Sequence, residues 1–151
     1  MKLMVINGPN LNMLGVREKG VYGVQSYDTL CKYIQDQAQD RDISVTLLQS
    51  NCEGEIINFI QRAWFEQCDG IVINPGAYTH YSYAIHDALK GTEIPAVEIH
   101  LSNIHQREEF RHKSVTAPAC VGQICGFGFH GYAMAMDALL EKIGREGPGK
   151  E

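Results

Sequence analysis

Five short apolar runs, set apart by stretches of helical pattern, constrain this chain more than any other feature. The runs are "KLMVIN" (2–7), "ISVTLL" (43–48), "GIVIN" (70–74), "PAVEIH" (95–100) and "VGQICG" (121–126). Each is strand-length and rich in β-branched or apolar residues. Ser26 is placed to cap a helix through about Gln39, with Leu30, Tyr33, Ile34 and Ala38 on one face. "GEIINFIQRAWFEQ" carries Ile56, Ile57, Ile60, Ala63 and Trp64 as an i, i+3, i+4 stripe. "YSYAIHDALK" and "GYAMAMDALLEKI" supply two further helices. Strands alternating with helices imply a parallel sheet covered on both faces. The expected architecture is an α/β, flavodoxin-like three-layer sandwich with strand order 2-1-3-4-5.

The 151 residues suit one domain, expected over 1–143, with "GREGPGKE" (144–151) read as a disordered tail. No apolar run approaches the ~20 residues of a membrane span, and "MKLMVIN" turns polar too soon for a secretory signal. A cytoplasmic protein is expected. The five cysteines are odd in number and lack C-x-x-C spacing, which suits reduced thiols rather than disulfides or zinc. A net charge of −5 argues against nucleic acid as partner.

In such sheets ligands bind beyond the carboxyl ends of the strands, near the point where the strand order reverses. Three segments fall there: the long flap after the first strand, "NPGAYTH" (74–80) and "EIHLSN" (98–103). They hold Asn10, Arg17, Tyr22, Asn74, His80, Glu98, His100 and Ser102. A tyrosine acts as a base only as phenolate, and its ordinary pKa is about 10. A guanidinium beside it favours the phenolate, so Arg17 and Tyr22 on one flap make sense if an acidic C–H must be deprotonated. Glu98 and His100 alternate onto one strand face, where the carboxylate can orient the imidazole as a general acid. Each of these residues also has a bland reading, as loop polarity or as a satisfied structural histidine. Backbone amides at "LSN" (101–103) can hold a carboxylate or merely cap the next turn. Arg107 and Arg111, four apart on a helical turn, can face an anion or pair with Glu108 or Glu109. His86, His105, His112 and His130 read as surface residues. "GFGFHG" (126–131) matches a dinucleotide fingerprint in letters, but it opens the last βα unit with no strand after it. It reads as a tight turn.

The stretches "NGPNLNMLGVRE" with the following "YG", "QSNCEGEIINFI", "GIVINPGAYTHYSYAIHDAL", "PAVEIHLSNIHQREEFRHKSV" and "GFGFHGYAMAMDAL" resemble the type II 3-dehydroquinate dehydratases over nearly the whole chain. The resemblance implies removal of water from 3-dehydroquinate to give 3-dehydroshikimate through an enolate, in aromatic biosynthesis or quinate breakdown, without metal, cofactor or Schiff base. It assigns Tyr22 as base, Arg17 as its support, Asn10 as an enolate stabiliser through a bound water, and His100 backed by Glu98 as acid. Asn74 with Leu101 and Ser102 matches the carboxylate site. His80 and Arg111 match contacts to ring hydroxyls, and Arg107 a second arginine near the tyrosine. Asp87 matches an aspartate reaching a neighbouring subunit's site, in an assembly that is typically a dodecamer of four trimers. Lys19, followed by Gly20, stands where the family usually has proline, which gives the flap more freedom. The competing reading is a flavodoxin-like nucleotide- or flavin-binding module. It leaves the Arg17–Tyr22 and Glu98–His100 pairs without a use.

Overall fold

The computed structural model describes residues 1–16 and 25–145. Five strands form one all-parallel sheet in the order β2-β1-β3-β4-β5. They are β1 (Lys2–Asn7), β2 (Ser44–Gln49), β3 (Gly70–Asn74), β4 (Ala96–His100) and β5 (Gly122–Cys125). Every expected strand is present, with ends shifted by no more than one residue. The helices are α1 (Tyr27–Asp40), α2 (Glu53–Phe65), α3 (Tyr83–Thr92) and α4 (His130–Arg145). Ser26 caps α1 as the sequence implied, its side chain accepting from Thr29 N–H. The last helix runs to Arg145, two residues past the expected domain boundary.

Alternation along the strands divides the core in two. Leu3, Val5, Val72, Val97 and Ile99 meet Leu30, Ile34 and Ala38 of α1 and Tyr132, Ala135, Met136 and Leu139 of α4. Met4, Ile6, Ile71, Ile73 and Ala96 meet Ile56, Ile60 and Ala63 of α2 and Ile85 and Leu89 of α3. This is the three-layer sandwich. β1, β3 and β4 are buried along nearly their whole length, as strands covered on both faces must be. No helix among the described residues is long and apolar enough to cross a membrane. All five cysteines are free.

The stripe expected on α2 is narrower than its letters. Ile56, Ile60 and Ala63 are buried, but Trp64 is 57% exposed. At 3.6 residues per turn Trp64 stands roughly 80° round the helix from Ile56, on the flank with Ile57. It points outward beside Phe65, which is 75% exposed.

The helical turn expected over Arg107 and Arg111 is two separate 3-10 turns, Ile104–Gln106 and Glu109–Arg111. Asn103 caps the first through His105 N–H. Arg107 is then extended, with its carbonyl held by His112 Nε2 at 2.9 Å. The two arginines therefore do not share a helix face. His86 is half-buried rather than on the surface, its Nδ1 donating to the Val115 carbonyl at 2.8 Å.

Candidate active site

The carboxyl ends of β1 and β3 meet first. Asn7 and Asn74 are register partners, and Gly8 N–H donates to Asn74 O at 2.7 Å. A Cβ at Gly8 would lie 2.7 Å from the Pro75 carbonyl carbon and oxygen, so only glycine allows this approach. Beyond it the chain turns through Asn10, a left-handed residue at φ 70°. Asn10 is exposed at the rim, and its N–H donates to Asn51 Oδ1 at 3.0 Å. Gln49 ties the same loop to β2 through the Gly8 carbonyl and Asn51 Oδ1. Arg17 and Tyr22, with Lys19 and Gly20, lie outside the described residues.

Asn74 is buried, and its amide orientation follows from its partners. Oδ1 accepts from Gly76 N–H at 3.2 Å, so Nδ2 is the side that donates to the Tyr132 hydroxyl at 3.4 Å. Tyr132, fully buried on α4, donates in turn to Asn7 Oδ1 at 2.6 Å. Burial holds the Tyr132 phenol neutral by raising its pKa. Among the described residues, Asn7 Nδ2 is buried without a partner at hydrogen-bond distance. It still lies near enough to Tyr27 to favour that phenolate, against the larger effect of burial, which lifts Tyr27 to about 12.

On β4, Glu98 and His100 point the same way, as alternation required. His100 Nε2 stands 3.0 Å from Glu98 Oε2. Glu98 is 0% exposed and His100 6%. Burial pushes the Glu98 carboxyl up, but hydrogen bonds from His100, Thr116 and Gln123 outweigh it and hold the group below its ordinary value. Glu98 is therefore a carboxylate at neutral pH and can only accept. The proton on Nε2 is thus directed at Glu98, and Nδ1 is the atom left for other chemistry. An imidazole tied at Nε2 to a buried carboxylate is oriented so that Nδ1 can deliver a proton.

His80 ends the turn Gly76–His80. Its Nδ1 donates to the Lys113 carbonyl at 2.7 Å, which leaves Nε2 as an acceptor on a neutral ring. Phe110 joins His80 to Arg111. Its ring meets the His80 ring edge-on at 6.4 Å, and the Arg111 guanidinium lies over it at 4.7 Å. Arg111 Nε donates to Glu108 at 2.7 Å, so the surface-pair reading of this arginine holds for that nitrogen. Its terminal nitrogens make no hydrogen bond among the described residues. Arg107 is exposed. Leu101 is half-buried against the core and Ser102 is exposed, just past the end of β4.

Asp87 is the one site candidate among the described residues that stands apart from this rim. It is exposed on α3 and lines a groove of about 500 Å³ with Gln61, Trp64 and Phe65. "GFGFHG" is a packing turn. Gly126 and Gly128 both have positive φ, and their N–H groups donate to the His100 and Leu101 carbonyls at 3.2 and 3.0 Å. Those amides are engaged in holding the end of β4, so they are not turned toward a phosphate. Among the described residues no three His, Cys, Asp or Glu side chains gather as a metal site.

The description of the dehydroquinase class II family matches residues 1–140. The chain belongs to this family. It is 64% identical over 146 residues to a 3-dehydroquinate dehydratase of Clostridium beijerinckii, covering 96% of this chain and 100% of the relative. It is 66% identical over 143 residues to a 3-dehydroquinate dehydratase of Clostridium perfringens, covering 95% and 99%. Among solved structures it superposes on a type II dehydroquinase from Butyrivibrio crossotus with a TM-score of 0.87 at 57% identity, covering 92% and 97%. One from Propionibacterium acnes gives 0.85 at 38% identity, covering 93% and 96%.

Residues that reading the sequence did not single out complete the rim. Tyr132 lies on a helix face that reads only as core. Thr79, Ser114, Thr116 and Gln123, which surround Glu98, look in sequence like loop or edge-strand polarity. The one available signal was Glu98 itself, a charge inside an otherwise apolar strand that has to find donors.

Proposed function

We propose that this chain is a 3-dehydroquinate dehydratase, a hydro-lyase that converts 3-dehydroquinate to 3-dehydroshikimate through an enolate. The observation that carries the reading is the buried His100–Glu98 pair at the carboxyl edge of the sheet. It is joined by membership of a family whose similar relatives carry that activity in their names.

In this reading the Tyr22 phenolate, supported by Arg17, takes the proton α to the ketone. The C–H electron pair moves into an enolate, which Asn10 helps to stabilise through a water. The enolate then collapses to the conjugated enone as the β C–O bond breaks, and His100 Nδ1 gives its proton so that the hydroxyl leaves as water. Glu98 stays ionised throughout and steadies the imidazolium while it exists. Asn74 and the Leu101–Ser102 turn take the substrate carboxylate. His80 accepts from a ring hydroxyl, and Arg111 donates to one. Arg107 assists near the tyrosine, and Asp87 serves a neighbouring subunit within a homo-oligomer, a dodecamer of four trimers.

The test is direct. Purified protein is mixed with 3-dehydroquinate and the ultraviolet absorbance of the enone is followed. Enone formation that is lost in Tyr22→Phe and His100→Ala supports the reading. Absence of product from the folded wild-type protein overturns it.

A further inference from the structure

We propose that Thr79, Ser114, Thr116 and Gln123 form a donor cage that clamps the Glu98 carboxylate and through it fixes the His100 imidazole. They are thereby positioning residues for the acid step, and this rests on the reaction assigned above. Glu98 receives four donors from three parts of the chain. His100 Nε2 at 3.0 Å, Ser114 Oγ at 2.9 Å and Gln123 Nε2 at 2.7 Å converge on Oε2, while the Thr116 hydroxyl donates to Oε1. Gln123 is the parallel register partner of Glu98 on β5. Ser114 and Thr116 come from the segment before the 3-10 turn Ala117–Ala119.

The hydroxyl hydrogens can be counted. Ser114 and Thr116 each commit their one hydrogen to Glu98. The Thr79 hydroxyl lies 2.7 Å from Ser114 Oγ and 2.8 Å from Thr116 Oγ1, so it donates to one of them. Thr79 is thus a second layer that fills an acceptor site on one of the two hydroxyls and leaves that hydroxyl's own hydrogen for the carboxylate. Ala117 N–H fills a further acceptor site on Ser114 at 2.9 Å. A buried carboxylate with both oxygens filled stays charged and cannot swing, so the histidine bound to it cannot swing either.

The cage also joins the acid to the ring-hydroxyl contact. Thr79 precedes His80, and its carbonyl accepts Val115 N–H at 2.7 Å. His80 bonds the Lys113 carbonyl two residues earlier. The 113–117 segment is therefore one plate bearing on both His80 and Glu98. Among the described residues, the titratable groups facing Glu98 are His100 on its own strand, Cys120 just after the 3-10 turn and Cys125 on β5. Burial first, and then the charge of Glu98, raises both thiols, so neither is charged at neutral pH.

The experiment uses Gln123→Met, Thr116→Val and Thr79→Val, with Thr116→Ser as the variant that keeps the hydroxyl. Steady-state kinetics with 3-dehydroquinate are measured across pH. In the first three variants kcat falls about tenfold, a fraction of what a general acid contributes, and KM changes little. Their acidic limb moves to higher pH, because a carboxylate with fewer donors, or in Thr79→Val with a less firmly held one, protonates sooner. Thr116→Ser restores both the rate and the limb. In parallel, ¹³C NMR of the Glu98 carboxyl follows its titration, and ¹⁵N NMR reports which His100 nitrogen carries hydrogen. A higher Glu98 titration and a mixed His100 tautomer in the variants support the cage, even in a protein that does not turn over 3-dehydroquinate. Unchanged titration and tautomer in folded Gln123→Met and Thr116→Val overturn it, whatever the wild-type activity.

Discussion

The Tyr132 hydroxyl donates to Asn7 Oδ1 at 2.6 Å, joining the first turn of α4 to the end of β1 across 125 residues of sequence. The same oxygen accepts from Asn74. One buried phenol thus sets two asparagines at the rim. Tyr132→Phe leaves Asn7 Oδ1 without that donor, beside an Nδ2 that has no partner among the described residues. An unsatisfied buried polar group costs about 1–3 kcal/mol. Urea unfolding should show an unfolding free energy lower by that amount, through a lower midpoint at an unchanged slope, and KM should rise more than kcat falls because Asn74 loses an anchor.

Gly8→Ala should be damaging without touching any charge. The added methyl would meet backbone of Pro75 and Asn74 at 2.7–2.9 Å, and backbone cannot rotate away. Overpacking of this kind costs about 1–3 kcal/mol, with the upper end expected where backbone has to move. Thermal melting should report the loss. A melting temperature equal to wild type would mean that the β1 and β3 ends do not approach this closely.

Stability should fall on the acid side through Glu98. Its folded pKa is depressed, so its contribution is complete above the unfolded value, about 4.3, and is lost as pH falls through the folded value. Asp137, bonded by Arg41, and Glu108, held by its own backbone N–H and then by Arg111, shift in the same direction and add to the slope. Glu98→Gln removes the Glu98 share alone. Urea midpoints measured between about pH 3 and 6 should vary less steeply in Glu98→Gln than in the wild type, and the variant should be the less stable of the two at neutral pH.

The flap residues carry the base in the proposed reaction. Tyr22→Phe removes only a hydroxyl, and kcat should drop at least ~100-fold while substrate still binds. Arg17→Lys keeps the charge but loses the planar guanidinium. It should lower kcat and move the base-side limb of kcat/KM to higher pH. Normal turnover in Tyr22→Phe would take the tyrosine out of the reaction.

Asp87 and the exposed Trp64 and Phe65 lie together on the outer face of α2 and α3. If Asp87 serves a neighbouring subunit, activity depends on assembly. Sedimentation velocity should show a large homo-oligomer, and Asp87→Ala should lose activity while each chain keeps its fold by circular dichroism. Full activity in dissociated monomers would exclude a shared site.

Much of this protein is legible in its sequence. Strand and helix periodicities are local, set by backbone geometry within a few residues, and so the five strands, the four helices and the Ser26 cap could be read from their own segments. Handedness and burial then reduce the possible sheet orders to a few. The Glu98–His100 pairing followed for the same reason, since two residues apart on a strand means one face.

Tertiary structure decided what depends on which segments become neighbours. Thr79, Ser114, Thr116 and Gln123 come from a loop, a turn and an edge strand, and only the register of β4 against β5 and the path of 113–117 bring their donors to Glu98. Tyr132 reads as core until α4 lies against β1 and β3. Trp64 matches the α2 stripe in spacing, yet the sheet covers only the arc of Ile56, Ile60 and Ala63. Arg107 and Arg111 match a helical turn, yet the hydrogen bond from His112 to the Arg107 carbonyl holds the chain extended between two short turns. Sequence by itself determined the elements and the Glu98–His100 pair that β4 carries. The packing of distant segments decided which polar groups share a hydrogen, because a hydrogen bond requires atoms within about 3 Å and no local pattern encodes that distance.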